Sequence, residues 1–315
     1  MNLGSPEFLS STLHISSILV FPIHLLCTYC ILTKTPATMQ SVKFPIFYSH
    51  FWCCLQDLYV FLFLVPYFLF PCFAVIPIGV LSEWEVGIEV QVYLTAVILI
   101  MVGFSIIMLF ENRFYILVAQ NKYFWWKTFR KFLYIEHIVG GAVTFLIIYH
   151  ELPDQNSAKL EVLEKLPPLP RELQDQQMFV LSLTTGHLEL LSFFVTGGSV
   201  LECSFYVSLI LYHLIIRPSQ SISKSTLQLQ IKLFKALFFQ CTVPLLAFNC
   251  PVFYILYSFR FEVYNPAANN FSVIITSLHG LLSSLCILFF HQPYRSFLFR
   301  KKDVKIEDLS RLSTL

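Results

Sequence analysis

The chain has 315 residues, of which 56% are hydrophobic and 13% charged, with 33 phenylalanines and a formal net charge of +2. A soluble domain carries about 25% charged residues, and the apolar residues here arrive in blocks of about 20, enough to cross a hydrocarbon core of roughly 30 Å. A water-soluble fold is thereby excluded, no nucleic-acid partner is expected, and the composition predicts an all-α polytopic membrane protein.

Seven spans are predicted in chain order: Leu13–Leu32, Pro45–Phe70, Val90–Phe110, Phe132–Tyr149, Leu191–Ile216, Ala236–Tyr257 and Phe271–Phe290. The first begins without a basic segment before it, so it reads as a membrane helix and not as a cleavable signal. The second lies in an apolar stretch from Phe44 to Leu81 that is too long for one upright span. Pro66 and Pro71 there predict a kinked helix followed by an apolar turn. The third ends at Phe110-Glu111-Asn112-Arg113-Phe114, where an apolar run meets a basic segment closing at Arg130 and Lys131. Glu136 and His137 fall at one end of the fourth span, close enough to the interface to snorkel. The connection from about His150 to Leu190 is the one long loop. It carries a weak helical period over Ala158–Leu166 and then Pro167-Pro168-Leu169-Pro170, and reads equally as a lid or as a linker. Pro244 and Pro251, seven apart, share a face of the sixth span. After the seventh, Pro293 predicts a bend into a short interfacial helix containing Tyr294, Arg295, Phe297 and Lys301. Ser310, Ser313 and Thr314 end the tail.

Positive charge is distributed unevenly among the loops. Lys34 and Lys43, the segment from Arg113 to Lys131, that from Arg217 to Lys235, and the tail from Arg295 onward hold 17 of the 21 Lys and Arg. Lys159, Lys165, Arg171 and Arg260 are left for the other side, together with most of the acids. The positive-inside rule then places the N-terminus outside and the C-terminus in the cytoplasm.

Charged and polar residues inside the bilayer need a reason to be there, because an acid at its centre costs about 2.5–3.5 kcal/mol on insertion scales. His50 and Asp57 are two helical turns apart and share a face, forming a buried polar node that serves packing, ion binding or switching. Glu202, beside Gly197, Gly198 and Ser199, and His279 are candidates for a ligand pocket or for contact with a neighbouring helix. Gln240, Ser283 and Ser284 are expected to hydrogen-bond between helices. Asn270-Phe271-Ser272 has the glycosylation pattern but lies at the membrane edge. The nine cysteines fall mostly within apolar runs and predict no disulfide framework. The histidines show no close metal-ligand spacing, so no metal or other cofactor is expected. Enzyme signatures such as H-E-x-x-H, G-x-S-x-G and phosphate-binding glycine loops are absent, and an enzyme is not expected.

Twelve short pieces in order carry a resemblance. They include Ser5-Pro6-Glu7-Phe8-Leu9, Pro22-Ile23-His24, Lys34-Thr35-Pro36, His50-Phe51-Trp52 with Asp57, Phe110-Glu111-Asn112-Arg113, Asn269-Asn270, His279-Gly280 and Pro293-Tyr294-Arg295. On these the chain resembles the nematode serpentine receptors of class H, over almost its full length. The resemblance implies one seven-helix receptor domain, a small-molecule chemical ligand, a heterotrimeric G protein as partner, and the plasma membrane of chemosensory neurons, in particular their cilia. It marks Glu111, Arg113, Pro293, Tyr294 and Arg295 as the coupling or switch residues. Rhodopsin-like receptors carry an acid directly before the arginine, whereas Asn112 intervenes here. Residues two apart on a helix differ by about 200°, so Glu111 and Arg113 are expected to face opposing sides. A ligand-gated odorant-receptor-type channel, which has its N-terminus inside, and a proton-coupled transporter using Asp57 and Glu202 are the rival readings.

Overall fold

The structure is a computed structural model that describes residues 2–169, 173, 176–183, 186–216 and 224–299, with the side chains at 121, 186–196, 245 and 247–250 outside that description. The tail residues Lys301, Lys302, Lys305, Ser310, Arg311, Ser313 and Thr314 lie outside the described residues, as do Pro170, Arg171, Glu172, Asp175 and Arg217.

Long helices dominate. They are α1 (Pro6–Lys34), α2 (Ala37–Leu64), α3 (Ile88–Ala119) and α4 (Trp126–His150), then α5 (Gln155–Lys165) in the long loop. α6 follows (Gly186–Leu211, continued by a π turn Tyr212–Ile216), then α7 (Lys224–Phe261), α8 (Pro266–Ser277), α9 (His279–Phe290) and α10 (Gln292–Leu298). α1 to α4, the Gly197–Ile216 part of α6, and α8 with α9 taken together are each long and apolar enough to cross a membrane. α7, at 38 residues, is the remaining long helix and reaches about 57 Å at 1.5 Å per residue. Its Pro244 and Pro251 are both buried, as expected for residues sharing a face.

Three differences from the sequence reading bear on function. The second span stops at Leu64, where Val65 turns left-handed with φ 42°. Beyond it the chain forms β1 (Pro66–Phe68) and β2 (Phe73–Pro77), which pair antiparallel with Tyr67 opposite Ile76. Prolines 66, 71 and 77 cannot donate helical hydrogen bonds and push their predecessors toward extended backbone. Gly79 packs so closely on the end of α2 that a Cβ would lie 2.7 Å from the Leu64 carbonyl carbon. From there its N–H caps the Leu64 carbonyl at 3.1 Å. β3 (Phe179–Ser182) completes a three-stranded sheet against β2, so the bundle carries a small β element that an all-α expectation omits.

The long loop packs as a cap on the bundle. α5 begins at Asp154, whose Oδ2 accepts from the Ser157 N–H at 2.9 Å and from its hydroxyl at 2.8 Å. Gln155 then pairs with Val180 of β3, donating to its carbonyl and accepting from its N–H, each at 2.9 Å. Ala158, Val162, Leu166 and Leu169 are buried in one apolar cluster with Leu9 and Leu13 of α1, Phe61 of α2 and Tyr67, Ala74 and Ile76 of the sheet. That apolar contact makes the segment a lid on this end of the bundle.

The third helix runs on past Phe114 to Ala119, so the stretch containing Glu111 and Arg113 is helix interior. All five residues from Phe110 to Phe114 are buried. The seventh span breaks at Leu278 into α8 and α9, and the chain breaks again at His291 (φ −81°, ψ 112°) before α10, with Pro293 in its first turn.

Candidate functional site

Two polar sites lie along the bundle, one at its basic end and one deeper inside. At the basic end, α3 directs Glu111 and Arg113 to different neighbours. Glu111, fully buried, accepts from Trp126 Nε1 (2.8 Å), Arg130 Nη2 (2.8 Å) and the Tyr134 hydroxyl (2.5 Å), all on α4. Arg130 also donates to Asn112 Oδ1 at 3.2 Å and lies 4.1 Å from the centroid of the Tyr115 ring. Arg113, 3% exposed, donates instead to Gln230 of α7, to its side-chain oxygen and, at 3.1 Å, to its carbonyl. The 200° separation is thus realised as two separate helix–helix ties. Asn112, between them, donates to the Ser41 carbonyl of α2 at 3.3 Å.

A cavity of about 20 Å³, lined by Pro45, Asn112, Arg113, Leu237 and His291 among others, lies beside the Arg113 tie. His291 reaches Gln240 Oε1 of α7 at 3.4 Å, and the buried Tyr294 hydroxyl meets Thr35 Oγ1 of α1 at 2.8 Å. α10 therefore folds back on the first helix, where Lys34 sits 4.5 Å over the Phe297 ring. Arg295, one position on from Tyr294, is exposed.

Deeper in the bundle, His50 and Asp57 share the buried face predicted for them, but they are joined through His24 of α1. His24 Nε2 lies 3.0 Å from Asp57 Oδ2, and its Nδ1 lies 2.8 Å from Ser284 Oγ of α9. His50 Nε2 meets Thr28 Oγ1 at 3.0 Å and the His24 carbonyl at 3.3 Å, and its Nδ1 lies 3.3 Å from Ser284 Oγ. Asp57 Oδ1 accepts from the Gly280 N–H at 3.3 Å, so a carboxylate faces the first turn of α9, where orphan N–H groups and the helix dipole favour it. A Cβ on Gly280 would come within 2.6 Å of the Asp57 carboxyl carbon, and this close approach needs glycine. His24 and Cys54 were not marked as site residues by the sequence. His24 lies 26 positions before His50, so the spacing of histidines along the chain held no sign of the cluster. The signal present was a histidine in the same apolar environment as an intramembrane acid.

The two ligand-pocket candidates occupy separate places. Glu202 of α6 pairs with His137 of α4, Oε2 to Nε2 at 2.8 Å, so His137 turns inward to a partner instead of snorkelling. Glu136, whose side chain is 70% exposed, stays on the outside and lies 3.1 Å from His137 Nδ1. Glu202 Oε1 and His279 Nδ1 are buried and have no hydrogen-bond partner among the described residues. An apolar cleft of about 360 Å³ lies between α3, α4 and β3, lined by Tyr93, Phe145, Tyr149 and Phe179; neither Glu202 nor His279 lines it. Asn270 is fully buried, and its Nδ2 donates to the carbonyls of Leu3 (2.9 Å) and Ser5 (3.0 Å). That burial, more than nearness to the membrane, argues against its glycosylation.

The sequence profile described as "Serpentine type 7TM GPCR chemoreceptor Srh" matches residues 4–302. The chain belongs to this family of seven-helix chemoreceptors. It is a multi-pass membrane protein and a receptor, not an enzyme. It is similar to the serpentine receptor class H-72 of Caenorhabditis elegans, with 28% identity over 306 residues, covering 94% of this chain and 86% of that one. No solved structure matches it. The class H resemblance read from the twelve short pieces is borne out, and the seven long helices accord with it.

Proposed function

We propose that this receptor has its N-terminus outside and its C-terminus in the cytoplasm, binds a small molecule, and signals to a heterotrimeric G protein at its basic end. The whole chain acts as one receptor domain, in the plasma membrane of chemosensory neurons and in their cilia. The observation that carries the coupling part is the Arg113–Gln230 tie between α3 and α7. A buried guanidinium held by a neutral amide is a contact that outward movement of α7 would break, leaving Arg113 to face the cytoplasm. Glu111, committed to α4, keeps α3 in place while this happens. Tyr294, anchored to Thr35, and Pro293 hold α10 so that Arg295 is presented at the same face.

The orphan atoms of Glu202 and His279 support both as ligand contacts, since a buried polar atom without a partner is costly unless something fills the role. Glu202, paired to α4, and His279, at the α8–α9 break, place a ligand near two joints between helices. The polar node of His50 and Asp57 lies just below that break, next to Gly280. A ligand moves α7 only by preferring the arrangement in which Arg113 is released.

Expression in a reporter cell, with a panel of volatile and secreted small molecules and both calcium and cyclic nucleotide as readouts, tests this reading. A responding compound should lose its effect in Arg113→Ala at unchanged surface expression. Epitope tags on each terminus of intact cells test the orientation. An external C-terminus would contradict the proposal and favour a channel-type arrangement.

A further inference from the structure

His24, His50 and Cys54 bring one donor atom each to within 4.8 Å of one another, two from α2 at i and i+4 and one from α1. The hydrogen bonds around them set the direction of each ring. His24 Nε2 faces the Asp57 carboxylate, and His50 Nε2 faces the His24 carbonyl and the Thr28 hydroxyl, so in the neutral rings with N–H on Nε2 both Nδ1 atoms carry lone pairs. Those two lone pairs converge on Ser284 Oγ, at 2.8 and 3.3 Å. Ser284 has one hydroxyl proton, and the Gly280 carbonyl at 2.9 Å competes for it. Cys54 Sγ, 3.4 Å from His50 Nε2 and 3.7 Å from its Nδ1, adds only a weak S–H donor. One strong donor thus serves three acceptors in a buried site.

We propose that this cluster is a Zn²⁺ site, with the two Nδ1 atoms and Cys54 Sγ as ligands and Asp57 as the carboxylate behind His24. Zinc takes nitrogen and sulfur ligands at about 2.0–2.3 Å in tetrahedral array, which puts such donors roughly 3.3–3.6 Å apart. Cys54 Sγ lies 3.7 Å from His50 Nδ1, just beyond this range, and with all three donors within 4.8 Å of one another the remaining closure is a rotation of side chains. A histidine that binds zinc through one nitrogen and gives the other N–H to a carboxylate is the usual second layer of such sites. Binding converts the Cys54 thiol to thiolate and releases its proton to solvent. The ion's two positive charges are then balanced by the thiolate and the Asp57 carboxylate. That neutrality matters inside a bilayer, where net charge is expensive, and it selects a divalent ion over a monovalent one. The fourth position falls to the Ser284 hydroxyl or to water. Zinc held there would pin α1 to α2 beside the α8–α9 break. The proposal needs neither a ligand nor a G protein, so it stands apart from the signalling reading.

Purified receptor in lipid nanodiscs tests it with Zn²⁺ alone. At Zn²⁺ about ten times its Kd, only the unliganded fraction reacts, so modification of Cys54 by a small methanethiosulfonate should slow by about tenfold, read by mass spectrometry, while Cys203 reacts at an unchanged rate. Co²⁺ should give a thiolate-to-cobalt absorption band that Cys54→Ser abolishes and Cys203→Ser retains. Cys54 reactivity unaffected by saturating Zn²⁺, which is measured on the wild-type chain and needs no variant to fold, would overturn the assignment. So would a cobalt band that survives Cys54→Ser.

Discussion

The two ends of the bundle are closed by different chemistry. At the sheet end, neutral amides bind backbone. Asn270 holds the carbonyls of Leu3 and Ser5, Asn269 holds those of Phe68 and Phe70 at 3.2 and 3.1 Å, and Gln155 holds both polar groups of Val180. Around them pack the apolar residues of α1, α5 and the sheet. At the basic end, single side chains tie helix to helix: the charged Glu111 to α4 and Arg113 to α7, and the Tyr294 hydroxyl to Thr35 at the end of α1. Backbone-to-amide stapling over an apolar core holds one geometry. Side-chain ties between helices can break one at a time, so the basic end is where movement is least costly.

Substitutions can break this contrast, and the largest effect is expected at Glu111. Glu111→Ala strands Arg130, Trp126 and Tyr134 at once. Breaking one partner of a buried pair costs about 3–5 kcal/mol, and a drop of the thermal midpoint in detergent would record it. Gly280→Ala should follow, because its methyl group collides with the Asp57 carboxyl and unseats α9. The expected result is poor surface expression, restored in part by pairing it with Asp57→Ala. At the sheet end, Asn270→Ala leaves two carbonyls without their donor, at about 1–3 kcal/mol for a buried unsatisfied group. Faster hydrogen exchange over residues 2–8 would show the N-terminus loosened, with signalling at the other end unchanged.

Gln230→Ala sharpens the contrast from the opposite side. It removes the side-chain part of the Arg113 tie while keeping the arginine and its bond to the backbone carbonyl at 230, and basal cyclic-nucleotide or calcium signalling should rise. Basal signalling at the wild-type level in a surface-expressed Gln230→Ala would remove the Gln230 side chain from the switch. The smallest effect concerns Asp154, whose carboxyl lies below its ordinary range because the Ser157 N–H and hydroxyl both donate to it. A depressed folded pKa stabilises above the unfolded value of about 3.9 and is lost as pH falls through the folded one. Hydrogen exchange of α5 should therefore be steady at neutral pH and quicken only on acidification below that range.

Much of this was legible along the chain. Apolar blocks of bilayer length and the two-residue spacing of Glu111 and Arg113 are local properties, and each carried its consequence into the structure. The shared face of His50 and Asp57 was legible too, since helical period alone sets it. The limits were physical as well. The stretch from Val65 to Ile78 is apolar enough for a helix, and its prolines instead give β1 and β2, which pair with each other while β2 also takes a partner strand more than 100 residues away. The long loop could be lid or linker until Ala158 and Val162 joined the apolar cluster that also holds Leu9 and Leu13.

By itself, then, the sequence determined the membrane class and the opposing directions of Glu111 and Arg113 on α3, because hydrophobic length and helical geometry act within one segment. Tertiary structure alone decided the rest. It put His24 between His50 and Asp57, gave His137 to Glu202 and Gln230 to Arg113, and set Asp57 against the start of α9. Each of these joins residues on different helices. A polar group buried in a bilayer takes whatever partner the packing brings to it, and spacing along one helix does not encode which partner that is.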